Sequence, residues 1–273
     1  MAMRAFRFGV VAAAQEGGAR WRETARRAEE LGYSTLLSPD NLHLPTPTAA
    51  LATAAAVTTR LRVGSFVLAS PLRTPRATAW EAHSLSTVTE GRFELGIGTG
   101  IPAMREQAAE LGLPYGTGRE RLDAVAEAID HLRRLDGDDT RTPVLLAAGG
   151  PRARRLAGAR ADIVTLAEDV LAPREQVAAH AEEVRAAAGG RDVELSMNVF
   201  VVGEQVPPWI QGFIGADAAT LAEHDSLTML RGGVDDMAAE LERRRTELGV
   251  SYVTVNSAFV EEFAPVAARL SGT

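Results

Sequence analysis

Apolar positions recur along this chain in two alternating periods. Short apolar runs alternate with longer stretches in which one face is apolar and the other is rich in Arg and Glu. The first pattern predicts buried strands and the second amphipathic helices. Strands are expected at Phe6–Val11, Ser34–Leu37, Arg62–Leu68, Arg92–Ile97, Val144–Ala147, Ile163–Leu166, Val193–Val202 and Tyr252–Val255. Helices are expected at Trp21–Leu31, Pro47–Thr58, Pro75–Thr87, Arg119–Leu135, Pro151–Ala159, Pro173–Ala188, Val234–Leu248 and Val260–Leu270. In Trp21–Leu31, residues Trp21, Ala25, Ala28 and Leu31 share a face, and Gly32 closes the helix. Eight strands, each followed by a helix, imply parallel strands joined by right-handed crossovers. The expected fold is therefore α/β, a closed (β/α)8 TIM barrel forming one domain over residues 1–273, with an open doubly wound sheet as the competitor. Two long connections, 99–118 and 203–233, fall at the end of the barrel where active sites are built.

Composition narrows the chemistry. The chain has 273 residues, 46% hydrophobic and 24% charged, an ordinary globular make-up. It has no cysteine, which removes disulfides, thiolate metal sites and a cysteine nucleophile. All 29 basic residues are Arg, so a Lys Schiff base and a Walker lysine are impossible. A net charge of −7 argues against nucleic acid as a partner. No apolar stretch reaches the roughly 18 residues of a membrane helix, so no membrane partner is expected and the location expected is cytoplasmic. No histidine pair has metal-ligand spacing, so no metal is expected.

Three segments carry candidate chemistry. In Val144–Arg152 a strand runs into Ala147, Ala148, Gly149 and Gly150, and Pro151 then opens a helix. Free N–H groups at that helix start suit a phosphate, with Arg152 and Arg154 nearby. A Gly-Gly turn with Pro at the first helical position accounts for the same residues. Gly96, Gly98 and Gly100 end the fourth strand without a helix directly behind them, so they do not form a dinucleotide fingerprint. A flat ligand against the backbone or a tight turn would each use them. Asp40, Asn41 and His43 follow the second strand, placing a carboxylate, an amide and an imidazole at the catalytic end. Gln15, Glu16 and Asn198 are further polar candidates near the mouth.

The segment Arg62–Pro75 (RVGSFVLASPLRTP) and the segment Ala79–Gly100 (AWEAHSLSTVTEGRFELGIGTG) resemble the bacterial luciferase-like flavin and deazaflavin oxidoreductases. Glu29–Tyr33, Ser38–Asp40 and Ala147–Arg152 extend the likeness over nearly the whole chain, which looks most like the actinobacterial members that use coenzyme F420. The resemblance implies a TIM barrel with F420 at the C-terminal mouth, FMN being the alternative. It implies hydride transfer to or from a small organic substrate, or with FMN a monooxygenase. A barrel that binds a flavin-like ligand or a partner without turnover is the reading from another class. It further implies a cis peptide at Phe66–Val67, cofactor contacts from Phe66, Val67, Leu68, Thr99 and Ala147–Arg152, and a homodimer formed through Pro47–Thr58 and Pro75–Thr87. Where F420-using members commonly carry His after the Asp of strand two, this chain has Asn41, which cannot act as an acid.

Overall fold

The computed structural model describes residues 3–138 and 140–273. The first half of the chain forms β1 (Arg7–Val11), α1 (Gly18–Glu30), β2 (Thr35–Ser38), α2 (Pro47–Ala55), β3 (Arg62–Ser65) and β4 (Leu68–Ala69). It continues with α3 (Pro75–Val88), β5 (Phe93–Gly98), α4 (Met104–Glu110), α5 (Gly118–Asp136), β6 (Val144–Ala148) and α6 (Pro151–Arg160). The second half forms β7 (Ile163–Leu166), α7 (Arg174–Ala188), β8 (Glu194–Val199), β9 (Val201–Val202), α8 (Pro208–Ile214) and α9 (Ala218–Glu223). It ends with β10 (Met229–Leu230), α10 (Val234–Leu248), β11 (Val250–Asn256) and α11 (Val260–Leu270).

The sheet runs β3–β2–β1–β11–β8–β7–β6–β5–β4, and β3 also pairs β5, which closes it. Every one of these pairings is parallel. The fold is the expected (β/α)8 barrel. Two of the expected strands are interrupted. Arg62–Leu68 breaks at a cis peptide between Phe66 and Val67, so that β3 and β4 form one stave with a bulge between them. Val193–Val202 breaks before β9, which leaves the barrel and pairs with β10 instead. The connection after β5 contains α4, and the one after β8 contains α8, α9 and β10.

Alternation along the strands sorts side chains into two cores. Phe8, Val10, Leu36, Val63 and Leu95 face outward into the layer under the helices. Leu37, Leu145, Ile163 and Tyr252 make a separate interior cluster, against which Val11, Phe66 and Val67 pack. The N-terminal end of the interior is ionic. Arg7 donates to Glu194 and Glu94, Arg62 donates to Glu94, and the Arg7 guanidinium stacks 3.6 Å from the Tyr252 ring centre. Burial opposes the charge of Arg7, but Glu94 and its neighbours outweigh it and raise its pKa further. Burial, with Glu94, pushes the Tyr252 phenol above its usual range. Ion pairs plug this end of the barrel, and within the plug Glu94 Oε2 and the Tyr252 hydroxyl are buried without a hydrogen-bond partner.

The family likeness places α2 in a dimer contact. Its Ala50, Leu51, Ala54 and Ala55 are buried within this chain, and Ala49 and Ala56 are exposed. Exposed apolar side chains stand on α3, where Trp80 and Val88 are 69% and 70% exposed, and on α8, where Trp209 and Phe213 are 58% and 69% exposed.

Candidate functional site at the barrel mouth

The broken stave shapes the mouth. Ser65 Oγ donates to the Gly96 carbonyl at 2.8 Å and accepts from the Gly96 N–H at 3.0 Å. The Phe66 N–H reaches the Ser38 carbonyl at 2.8 Å. A Cβ on Gly96 would strike the Ser65 carbonyl, and one on Gly98 would lie 3.0 Å from Val67 Cγ2. The glycines closing β5 therefore make room for the bulge, a close approach of two backbones that the residue pattern alone left open. Phe66 and Val67 are half-buried, with Leu68 buried behind them.

Asp40 lies directly behind this bulge. Its carboxylate accepts from Arg73 at 2.7 and 3.0 Å and from the Ala69 N–H at 2.9 Å. Burial works against the Arg73 charge, yet the pair with Asp40 raises the Arg73 pKa. A carboxylate held by two guanidinium N–H groups and a backbone amide is not a free base. It ties the β2 loop to the start of β4. Asn41 is half-buried, and its Oδ1 accepts the His43 N–H at 2.8 Å, which leaves the amide NH2 as its outward group. His43 is exposed, and its backbone N–H is its contact in this turn. The loop is also held from α4, where buried Gln107 accepts the Leu42 N–H at 3.0 Å.

On the far side of the mouth lies the β6–α6 loop. Ala147 is half-buried, Ala148 buried, and Gly149, Gly150, Pro151 and Arg152 are exposed. The helices α2 and α3 begin with Thr then Pro, and Thr46 and Thr74 cap them. The helix α6 begins with Gly150 then Pro151 and has no side-chain cap. Its first-turn amides are thus left for another acceptor. A Cβ on Gly150 would meet nothing within 4 Å, whereas one on Gly149 would lie 2.9 Å from the Ala167 carbonyl. Arg154 does not reach this space. It is buried, pairs with Glu183 at 2.7 Å and donates to the Gly149 carbonyl at 2.5 Å, so it braces the loop from behind. Thr99 is half-buried, and its carbonyl is held by Arg121 Nε at 2.8 Å.

A cavity of about 1020 Å³ opens beside β1, β2 and β11 and continues along α1. Ala12, Ala13, Ala14, Gln15 and Glu16 line it after β1, Pro39 and Leu44 after β2, and Asn256 and Ser257 at the end of β11. Trp209 of α8 closes it from above and is 58% exposed. Asn198 is half-buried, and its Oδ1 accepts from the Thr254 hydroxyl at 2.8 Å. Arg73, Gln107, Arg121 and Asn256 are the site residues that the linear pattern did not disclose. Arg73, Gln107 and Arg121 are each defined by a partner in another element, whereas Asn256 caps the turn that follows its own strand.

A closed parallel barrel, a non-prolyl cis bulge in the third stave and an uncapped Gly-Gly helix start define a class of barrel. The family model for luciferase-like monooxygenases matches residues 3–205, and the chain belongs to that family. Among curated relatives, the F420-dependent glucose-6-phosphate dehydrogenase of Intrasporangium calvum is 31% identical over 166 residues, covering 50% of each chain. The enzyme of the same name from Beutenbergia cavernae is 33% identical over 161 residues, 48% of this chain and 47% of that one. The chain spans about half the length of the curated relatives it matches. Among solved structures, an F420-dependent secondary alcohol dehydrogenase in complex with an F420–acetone adduct superposes with a TM-score of 0.78 at 18% identity, covering 98% of this chain and 99% of that one. The oxygenating constituent of 3,6-diketocamphane monooxygenase from Pseudomonas putida, in complex with FMN, superposes at 0.74 with 15% identity, covering 97% and 95%. At such identities the structural likeness is one of fold.

Proposed function

We propose that this chain is an F420-dependent oxidoreductase acting on a small organic substrate at the barrel mouth. The observation that carries the reading is the pairing of two features across the mouth. One is a half-buried apolar bulge at Phe66–Val67, and the other is the open, uncapped helix start at Gly149–Gly150. A ring lying on Val67, Ala147 and Gly98 would have its phosphate tail at the α6 amides, with Arg152 beside it. The relatives' names supply the choice of F420. When bound, F420 supplies a two-electron hydride donor or acceptor. The chain's residues then hold and orient. Phe66, Val67 and Leu68 back the ring, Thr99 sits at the end of β5, and Ala147–Arg152 take the tail. Asn41 offers an uncharged donor to an oxygen on which negative charge develops.

Fluorescence quenching with F420 and with FMN tests the reading. Binding of F420 at least tenfold tighter than FMN is expected. Tighter FMN, with oxygen consumed when the flavin is reduced, would establish the monooxygenase reading instead. A cytoplasmic location accompanies the F420 reading.

Gly150→Asp is the sharpest probe of the tail site. The position has open space and extended backbone, and Asp is a favoured N-cap, so the fold is retained. The new carboxylate would occupy the amides and repel a phosphate. Cofactor affinity should fall at least tenfold, about 1.4 kcal/mol, with an unchanged or higher melting temperature. Asn41→Asp keeps the oxygen that accepts from His43 but removes the amide donor. Turnover should drop roughly 10- to 1000-fold, in the range for loss of an oxyanion donor. Parent-like turnover would reduce Asn41 to a turn residue.

We also infer a homodimer built on α3 and α5. Trp80 and Leu135 stand exposed around a cleft of about 480 Å³ lined further by Arg76, His131 and Arg134. Exposed aromatic surface of this kind marks an interface. Light scattering at micromolar concentration should give twice the chain mass for the parent and the chain mass for Trp80→Glu.

A further inference from the structure

The connection 99–118 folds into a braced bracket beside the mouth. Its helix α4 buries Met104, Gln107 and Ala108, which share one face at i, i+3 and i+4. Met104 and Ala108 pack with Ala69 and Leu72, just after the bulge. Arg121 of α5 closes the base of the connection, with Nε donating to the Thr99 carbonyl at 2.8 Å and Nη1 to the Gly116 carbonyl at 3.0 Å. The guanidinium groups of Arg105 and Arg121 lie 4.6 and 4.1 Å from the centre of the Tyr115 ring, and the Tyr115 hydroxyl donates to the Ile101 carbonyl at 3.0 Å. Together these contacts hold α4 against β4 and the end of β5.

Gln107 is the polar member of that buried face. A polar group taken from water needs a partner, and the Gln107 oxygen finds one in the Leu42 N–H of the loop after β2, at 3.0 Å. That N–H belongs to the peptide unit joining Asn41 to Leu42. The other end of the same unit, the Asn41 carbonyl, accepts the Leu44 N–H at 3.0 Å. A planar peptide held at both its N–H and its C=O fixes the backbone on either side of it. Upstream, Asp40 is held by Arg73 and by the Ala69 N–H. Asn41 thus hangs between two anchored units, with its Oδ1 taken by the His43 N–H. An amide that carries no charge acts on a ligand only where its N–H points, because a hydrogen bond weakens steeply as it bends.

We propose that Gln107 is a positioning residue of the mouth. By holding the Asn41–Leu42 peptide it aims the Asn41 NH2, and through α4 it sets that donor at a fixed place relative to the Phe66–Val67 bulge. The proposal rests on the reading given above for what the donor meets, but the positioning is a property of the chain without ligand. Gln107 lies 65 residues from Leu42, so the fold alone brings the two together.

The test uses the full chain labelled with 15N, first without and then with F420. The Asn41 side-chain NH2 signals are assigned from Asn41→Asp, which lacks them. Gln107→Met keeps an unbranched side chain that can pack in the same space, and loses the accepting oxygen. Gln107→Glu keeps an oxygen that accepts, ionised or not. In Gln107→Met the Leu42 amide should exchange with solvent at least about tenfold faster than in the parent, and the Asn41 NH2 signals should move. Gln107→Glu should return both to the parent, and signals from β6, β7 and β8 should stay in place in both variants. F420 should then shift the Asn41 NH2 signals alike in the parent and in Gln107→Glu, and less in Gln107→Met. Faster Leu42 exchange with the Asn41 signals unmoved would overturn the proposal, because Gln107 would then only satisfy an amide. Asn41 signals that move as far in Gln107→Glu as in Gln107→Met, or parent-like Leu42 exchange in both variants, would also overturn it. Asn41 signals of the parent that ignore F420 would count against the placing of Asn41 beside the cofactor alone, since exchange and signal positions are read before F420 is added.

Discussion

Gly96→Ala will destabilise this protein more than any other single methyl group added at the mouth. The added Cβ would land on the Ser65 carbonyl and 3.2 Å from Val67 Cγ1. Neither neighbour is the free end of a flexible side chain. Ser65 is fixed by two hydrogen bonds to Gly96 itself, and the next residue, Phe66, is tied to Ser38 of β2. The strand β5 cannot retreat either, because Leu95, Gly96 and Ile97 are paired to β6 on the other side. Overpacking in a core costs typically about 1–3 kcal/mol, and more where only backbone can yield. A loss of at least about 3 kcal/mol is expected, read from the urea midpoint at constant slope. Gly150→Ala, with nothing within 4 Å of its new methyl, is the matched control and should remain within about 1 kcal/mol of the parent. Equal midpoints for the two variants would contradict the crowding argument.

Arg73→Ala should cost about 3–5 kcal/mol, the usual penalty for breaking a buried pair from one side. The Asp40 carboxyl is 5% exposed and the Arg73 side chain 15%. Removing the guanidinium leaves that carboxylate with one backbone donor, the Ala69 N–H. Asp40→Ala together with Arg73→Ala removes both charges, so the double variant should be less destabilised than the sum of the two singles. A double-mutant cycle by urea denaturation measures this. Additive losses would mean that the pair contributes no coupling. Because Asp40 also anchors the first residues after the bulge, Arg73→Ala should weaken F420 binding as well, by loosening Phe66–Val67 and not by removing a contact.

The pattern of apolar and polar positions was enough to predict the fold. Eight strand runs alternating with eight helical periods require a parallel sheet covered on both faces, and the expected strands and helices fall within a few residues of observed ones, while α4, α8, α9 and β10 lie in connections where no element was expected. The helix starts were also legible, because Thr46-Pro47, Thr74-Pro75 and Gly150-Pro151 are local signals that act through the backbone of their own turn. The break in the third strand entered through family likeness alone, since nothing in the Val-rich run of 62–68 departs from an ordinary buried strand.

What each candidate residue does was another matter. Gly96 and Gly150 are the same letter, yet one is crowded by the backbone of a neighbouring strand and the other stands in open space. Asp40 reads as an available carboxylate until Arg73, 33 residues away, is folded onto it. Arg154 reads as a phosphate ligand until Glu183 and the Gly149 carbonyl claim it. Asn256 follows its strand as Asp40 and Asn41 follow theirs, and only the fold shows that its oxygen is taken by the Ala258 N–H. Secondary structure follows from periods of two and 3.6 residues that any short window contains. The state of a polar side chain follows from which distant partner satisfies it, and that pairing exists only once the barrel has closed.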